Sequence, residues 1–391
     1  ITALQNSVAH YYQRASSADY LGVDPTRRSL TGTGGYVKVG RKGNAKWNFS
    51  EAFTWSSPGF DLNDMGYMKE TDYLMNETEI MYRQTDIWKI FRYNAFTLSQ
   101  KNMWNYGGTP FSNNASLRWQ SMTMNRYEWD VKETFAWNWL DSRLLRGGPD
   151  VRFGSYFLTS AKFNTDKAKR MMFMLKYEGD HNFEGNRFNT ISPSLTFRLG
   201  NHVYLSGQLD YAWNTDEMQY VATTSPLSSS SLTPYYYVMG HMDQKTYGLT
   251  LKLQVNVTPD ISIQFYGAPF TSIAKYDDFK LAADTKSHTF ENRFQRIDPD
   301  HLTYADGVYT IGEGAGQMPF RNPDFRFNEF RSNLVARWEY LPGSTLYFVW
   351  EHRMSNRDNW YSSGWGSNLD RMWGLPATNT FMIKMNYWFN L

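Results

Sequence analysis

Alternation with a period of two residues, repeated from one end to the other, is what most restricts the folds open to this chain. Tyr247, Leu249, Leu251, Leu253, Val255 and Val257 alternate with Gly248, Thr250, Lys252, Gln254, Asn256 and Thr258. Val203, Leu205, Leu209, Tyr211 and Trp213 stand opposite Tyr204, Ser206, Gln208 and Asp210. Leu334, Ala336, Trp338 and Tyr340 stand opposite Asn333, Arg337 and Glu339. The chain closes on Phe381, Ile383, Met385, Tyr387, Phe389 and Leu391, with Lys384, Asn386 and Asn390 on the other side. Side chains of a strand point alternately to its two faces, so each segment reads as a strand with one apolar and one wet face. The apolar faces carry almost no formal charge. A Lys or Arg turned to lipid at mid-bilayer costs roughly 2–4 kcal/mol, so a wall touching acyl chains is expected to look like this. A soluble β-sandwich alternates as well.

The links between strands separate those two readings. Tight turns are expected at Lys42-Gly43, Asp86, Asn125-Arg126, Thr165-Asp166, Gly200-Asn201, Pro259-Asp260 and Pro342-Gly343. Between them lie longer connections at 13–32, 57–70, 103–114, 139–152, 180–189, 216–243, 273–329 and 354–378. Short periplasmic turns alternating with long extracellular loops give this rhythm in transmembrane barrels, whereas Greek-key crossings would scramble it. The expectation is all-β: a transmembrane antiparallel outer-membrane β-barrel with roughly sixteen strands of about 9–11 residues. A first strand is expected over Ala3 to Gln13.

Composition agrees. Aromatic residues make up 17%, with Trp 15 and Tyr 27, which suits girdles at two bilayer interfaces. Mean hydropathy is −0.60 and no apolar run is long enough for a membrane helix, which leaves a barrel untouched because half of each strand is polar. No helix of ordinary length is expected. Absence of cysteine removes disulfides and thiolate chemistry, and a net charge of +2 implies no nucleic-acid partner. No linker divides residues 1–391, so one domain is expected, the C-terminal part of a longer protein.

Chemistry is sparse. The histidines, His10, His181, His202, His241, His288, His301 and His352, sit in no nucleophile or metal-binding motif, so neither catalysis nor a cofactor is expected. Segment 273–329 gathers Asp277, Asp278, Asp284, Asp298, Asp300 and Asp306 with His288 and His301, without a calcium-loop spacing. Its length marks it as a plug, a lid or a docking segment. Trp360, Tyr361, Trp365 and Trp373 offer an aromatic platform for a glycan or a protein partner. Lys46, Glu128, Asp130, Lys132, Lys176, Glu178, Lys252, Arg337, Glu339, Glu351, Arg353 and Lys384 are expected to face a lumen, their mixed signs permitting salt bridges across it.

Three blocks carry a family resemblance: Gln5-Asn6-Ser7 with Tyr11-Tyr12-Gln13-Arg14; Ser57-Pro58-Gly59-Phe60-Asp61-Leu62-Asn63-Asp64-Met65-Gly66-Tyr67; and Asn322-Pro323-Asp324-Phe325 followed by Arg337-Trp338-Glu339-Tyr340-Leu341-Pro342-Gly343-Ser344-Thr345. With them the chain resembles the C-terminal region of a bacterial family of uncharacterised proteins. Members of that family join an N-terminal carbohydrate-binding, family-9-like domain to a long domain of unknown function. The resemblance implies architecture and location and transfers no activity. Read without it, Asp61, Asn63 and Asp64 cap a loop or bind a cation. The expected function is a passive outer-membrane channel for solutes, with oligosaccharides suggested by the family's upstream domain. The alternative is a non-catalytic scaffold subunit of an outer-membrane complex, and a surface hydrolase ranks third. Expected partners are the bilayer, other outer-membrane or periplasmic proteins, and glycans.

Overall fold

Each expected short turn joins two long antiparallel strands. The computed structural model describes residues 1–7, 9–14, 20–41, 43–62, 68–137, 139–227, 235–359 and 364–389, apart from the side chains of Ala315 and Trp365. In chain order these are α1 (Thr2–Gln5), β1 (Gly34–Arg41), β2 (Trp47–Ser56), β3 (Tyr73–Gln84), β4 (Phe91–Trp104), β5 (Pro110–Thr123), β6 (Glu128–Trp137), β7 (Trp139–Asp141) and β8 (Val151–Phe153). Then come β9 (Tyr156–Asn164), β10 (Met171–Asn182), β11 (Arg187–Leu199), β12 (Val203–Thr224), β13 (Tyr236–Asn256), β14 (Ile261–Ala282), α2 (Phe290–Arg293) and β15 (Phe294–Arg296). The chain ends with β16 (Leu302–Ala305), β17 (Val308–Ile311), β18 (Met318–Arg321), β19 (Phe325–Leu341), β20 (Ser344–Asp358), α3 (Trp365–Trp373) and β21 (Ala377–Asn386).

One 16-stranded sheet dominates, its ladder running from β1 through β6, β9 through β14, and β19 through β21, with β15 clipped onto the far end of β14. A two-stranded hairpin β7–β8 and a three-stranded sheet β16–β18 stand apart from it. All pairings within the large sheet are antiparallel between chain neighbours, as hairpin succession requires. The turns have local causes: Gly343 takes φ +80, open to glycine without steric cost, and its N–H donates to Glu339 Oε1 at 3.1 Å.

Three expectations change. Residues 3–13 do not form a strand: α1 and a following turn occupy this stretch, and Gln5 is fully buried. Its side chain bonds both ways with the backbone of Asp24. No pairing joins β1 to β21 among the described residues, so the sheet is open where closure was expected. The sixteenth member is the short β15, not a full wall strand. Finally, the connections expected at 216–243 and 273–329 are shorter because the strands run on: β12, β13 and β14 reach 22, 21 and 22 residues.

The burial pattern is unlike that of a sandwich. No second sheet covers the apolar face of the ladder among the described residues, and Phe49, Leu117 and Ile383 there are 55%, 58% and 71% exposed. The opposite face is lined by small polar side chains such as Ser50, Ser116, Thr134 and Ser192, all buried. Among the described residues, packed apolar cores occur only toward the long-loop end. One gathers Val238, Met242, Ala274, Tyr276, Phe279 and Leu281 under Ile311 and Phe320 of β17 and β18. The other gathers Leu145, Val151, Met218, Met239 and Phe294.

Candidate functional site at the long-loop end

The loops at one end of the sheet are sewn to one another. Thr71 N–H donates to Ala9 O at 2.9 Å, and the Arg14 guanidinium meets the buried Asp72 carboxylate at 3.0 Å. Tyr20 Oη donates to the same carboxylate at 2.6 Å; burial first, and then this negative partner, raise the Tyr20 pKa above its ordinary value. Arg143, beyond β7, reaches Glu70 at 3.4 Å. Across the mouth, Arg152 of β8 donates its N–H to Thr285 O at 2.9 Å and its Nε to Lys286 O at 2.9 Å.

Arg293, at the end of α2, is the knot of this cap. It is 1% exposed and donates to Ser287 O at 2.8 Å, Arg152 O at 2.5 Å and both carboxylate oxygens of Glu184, in the β10–β11 link. One Arg therefore fixes the insertion after β14, the β7–β8 hairpin and a third loop together. Bidentate Arg–carboxylate geometry suits such a task because the guanidinium fork presents parallel donors.

Beneath the cap is a cavity of about 550 Å³ whose walls include Lys101, Asn105, Asn114, Trp139, Asp150 and Tyr156. Asp150 is 2% exposed; Oδ2 lies 3.6 Å from Lys286 Nζ, while Oδ1 is buried and has no hydrogen-bond partner among the described residues. A second space of about 560 Å³ shares Lys101, Asn114 and Leu158 and continues along the polar face past Lys132, Glu178 and Asp180. The two spaces adjoin, and both signs of charge, amides and hydroxyls line them. Such a lining suits small polar solutes without selecting strongly for an ion.

The acidic loop behaves as a structural element. Asp278 is tied to Lys280 and Arg296 at 3.4 and 3.8 Å, and Asp298 Oδ1 accepts the Asp300 N–H at 3.0 Å. Among the described residues no three His, Asp or Glu side chains gather as a metal site. Beside it, His241 Nδ1 lies 3.1 Å from Glu217 and Nε2 3.6 Å from Asp243. Burial works against the charged ring, but these carboxylates outweigh it and hold the His241 pKa above its usual value. Asp216 nearby is raised, first by burial and then by Glu217, against the pull of the Met218 N–H, Lys280 and His241.

Of the aromatic platform, Trp360 and Tyr361 lie outside the described residues, as do Asn63 and Asp64 and the Trp365 side chain. Trp373 is 55% exposed and packs its edge on Phe330, ring centroids 4.8 Å apart. Phe330 shares a face with Leu334, so Trp373 sits on the apolar side of the wall and not over the polar mouth. His352 also lies on that side, Nδ1 2.8 Å from Asn379 Oδ1. The ion pairs described on the polar face join residues near in sequence or on adjacent strands: Lys176 with Glu178 at 2.7 Å, Arg337 with Glu339 at 2.5 Å, Arg118 with Asp130 at 2.5 Å. One contact escaped the sequence. Ser7 Oγ is hydrogen-bonded to His10 Nδ1 at 3.2 Å; the His10 ring is fully buried, and among the described residues Nε2 has no hydrogen-bond partner, so the pair as described closes a local turn.

Residues 3–391 match the family described as Domain of unknown function (DUF5916). The chain is a member of that family. No curated protein and no solved structure matches it. The DUF5916 match takes in the whole ladder, its cap and all three sequence blocks, so the cavity belongs to the family's own domain.

Proposed function

We propose that this DUF5916 domain forms the wall of a bacterial outer-membrane β-barrel and acts as a passive conduit for polar solutes, oligosaccharides among them, its mouth narrowed by the cap. One observation carries the reading: among the described residues no second sheet covers the apolar face of the ladder, and the apolar cores gather at the long-loop end. In water, that much apolar surface would drive association; against acyl chains it is already satisfied. The free edges of β1 and β21 are where such a wall would be completed. The polar face, with its adjoining spaces, supplies the path, and nothing in the reading requires catalysis.

Planar-bilayer recording tests it. Defined conductance steps from the purified full chain, enlarged when residues 283–323 are deleted, are the expected result. A protein that stays monodisperse without detergent, or gives no steps with or without the deletion, overturns the conduit. A scaffold role is the second reading, and one feature of the apolar face favours it.

A further inference from the structure

The apolar face is not uniform. Toward the C-terminal end of the ladder Leu209, Leu251, Phe265, Leu334, Phe348 and Ile383 hold its middle, and no charged side chain interrupts them there. The N-terminal end departs from this. Glu51 projects between Phe49 and Phe53, exposed, and its carboxylate accepts hydrogen bonds from Asn76 Nδ2 and, at 2.6 Å, from Thr78 Oγ1. Glu133 projects between Val131 and Phe135 and accepts Thr159 Oγ1 at 2.7 Å. Register continues the stripe, pairing Thr78 with Gln100 and Asn76 with Asn102.

These carboxylates are not at the rim. Glu51 lies four residues into β2 and Glu133 five into β6 from the short-turn end, roughly 13–17 Å along a strand at about 3.3 Å per residue. At a tilt of about 45° that is roughly 9–12 Å of height, inside an apolar band about 25 Å tall. An acid held there against acyl chains has only its local donors to offset the loss of water.

We infer that this sector of the wall, from β2 to β6, is a contact surface for a second integral membrane protein that presents a Lys or Arg at the depth of Glu51 and Glu133. The inference rests on the membrane reading above. Charge complementarity selects the partner. A two-fold contact with another copy would bring carboxylate against carboxylate. On the apolar face among the described residues, Arg41 stands at the short-turn rim where β1 ends, while Lys245, Arg187, Lys275 and Arg326 lie toward the opposite rim, so none stands at the depth of Glu51 and Glu133. Asn76, Asn102 and Gln100 add amides that a donor-rich partner face can satisfy in place of water.

The chain has no cysteine, so single thiols can be placed at will. Gln100→Cys would carry a thiol-reactive photo-crosslinker on the polar stripe, and Leu251→Cys the same probe on the clean side, both in native outer membranes. The expected result is a discrete adduct from Gln100→Cys to another membrane protein, through a peptide containing Lys or Arg, against lipid adducts alone from Leu251→Cys. Combining Gln100→Cys with Glu51→Leu and Glu133→Leu should lower the protein adduct at least tenfold. The Gln pair, Glu51→Gln with Glu133→Gln, repeats the test with shape retained and heat-modifiable migration confirming the fold. Lipid adducts from both positions, or an adduct to a second copy, overturn the inference. If Leu251→Cys meets no lipid, the membrane reading itself fails and takes this one with it.

Discussion

Replacing Arg293 by Ala should uncouple the cap. The guanidinium is 1% exposed and links Ser287 O, Arg152 O and both Glu184 oxygens, with Glu184 itself only 12% exposed. Removing one member of a buried pair costs about 3–5 kcal/mol, chiefly because the other charge stays behind unpaired. Glu184 keeps the Gly154 N–H at 3.0 Å, so the low end, about 3 kcal/mol, is the better figure. That loss falls on segment 283–296 and β7–β8, which the β14–β15 pairing and the core of Leu145, Val151 and Phe294 continue to hold to the sheet. At about 1.4 kcal/mol per decade, their local opening should rise by roughly two orders of magnitude. Hydrogen exchange in detergent, read peptide by peptide, measures this directly. The Glu184→Gln variant, which retains an acceptor, should lose about 1.5 kcal/mol less, and the double variant little more than Arg293→Ala. Unchanged exchange at 283–296 in Arg293→Ala would refute the idea that this side chain holds the cap. A global loss of protection across β3–β6 would refute its locality.

Other tests address the wall and the rim. Leu251→Arg should destabilise the protein in vesicles by about 2–4 kcal/mol while Thr250→Arg, on the polar face, changes it little; equal effects in urea-driven refolding would contradict a lipid-facing Leu251. Tyr177 covers Gly179 and donates to Asn189 Oδ1 at 2.8 Å, so Tyr177→Phe should lower stability by about 1 kcal/mol, visible as a drop in melting temperature in detergent. The folded-state pKa of His241 is raised, so its contribution is full below the ordinary value near pH 6.5 and is lost as pH climbs through the higher folded value. Protection of β12 and β13 around Glu217 and His241 should therefore fall above neutrality, and His241→Gln should flatten that dependence while Asp216, also raised, leaves a residual one at lower pH.

The short turns were legible because their causes are local: Gly43, Gly200 and Gly343 with their Asn, Asp and Pro neighbours punctuate the alternation wherever a hairpin reverses. The ends of β12, β13 and β14 were not, since bulges at Asp216/Gln219 and Tyr220/Ala222 shift the period just where the strands run on. Residues 3–13 misled for another reason: Gln5 is held by Asp24, nineteen positions away, and no local pattern announces that bond. Likewise α3 is too short to show a helical period and is placed by its buried Asn368 and Met372 against β14, β19 and β20. The cap was out of reach altogether. Arg14 with Asp72 and Arg293 with Glu184 join residues 58 and 109 positions apart, and only a folded chain reveals such pairs.

The unequal strand lengths carry their own consequence. Strands of 22, 21 and 22 residues, β12 to β14, measure roughly 70 Å at about 3.3 Å per residue, near 50 Å of height at a tilt of about 45°. On the membrane reading proposed above, a hydrocarbon layer about 30 Å thick would leave about two-fifths of their height in water. On that reading one side of the pore would rise as a parapet, stiffened by the core under β17 and β18, while the side built from β1 and β2 would stay low. Bulky molecules arriving from outside would be funnelled over the low side, toward the Arg14–Asp72 corner.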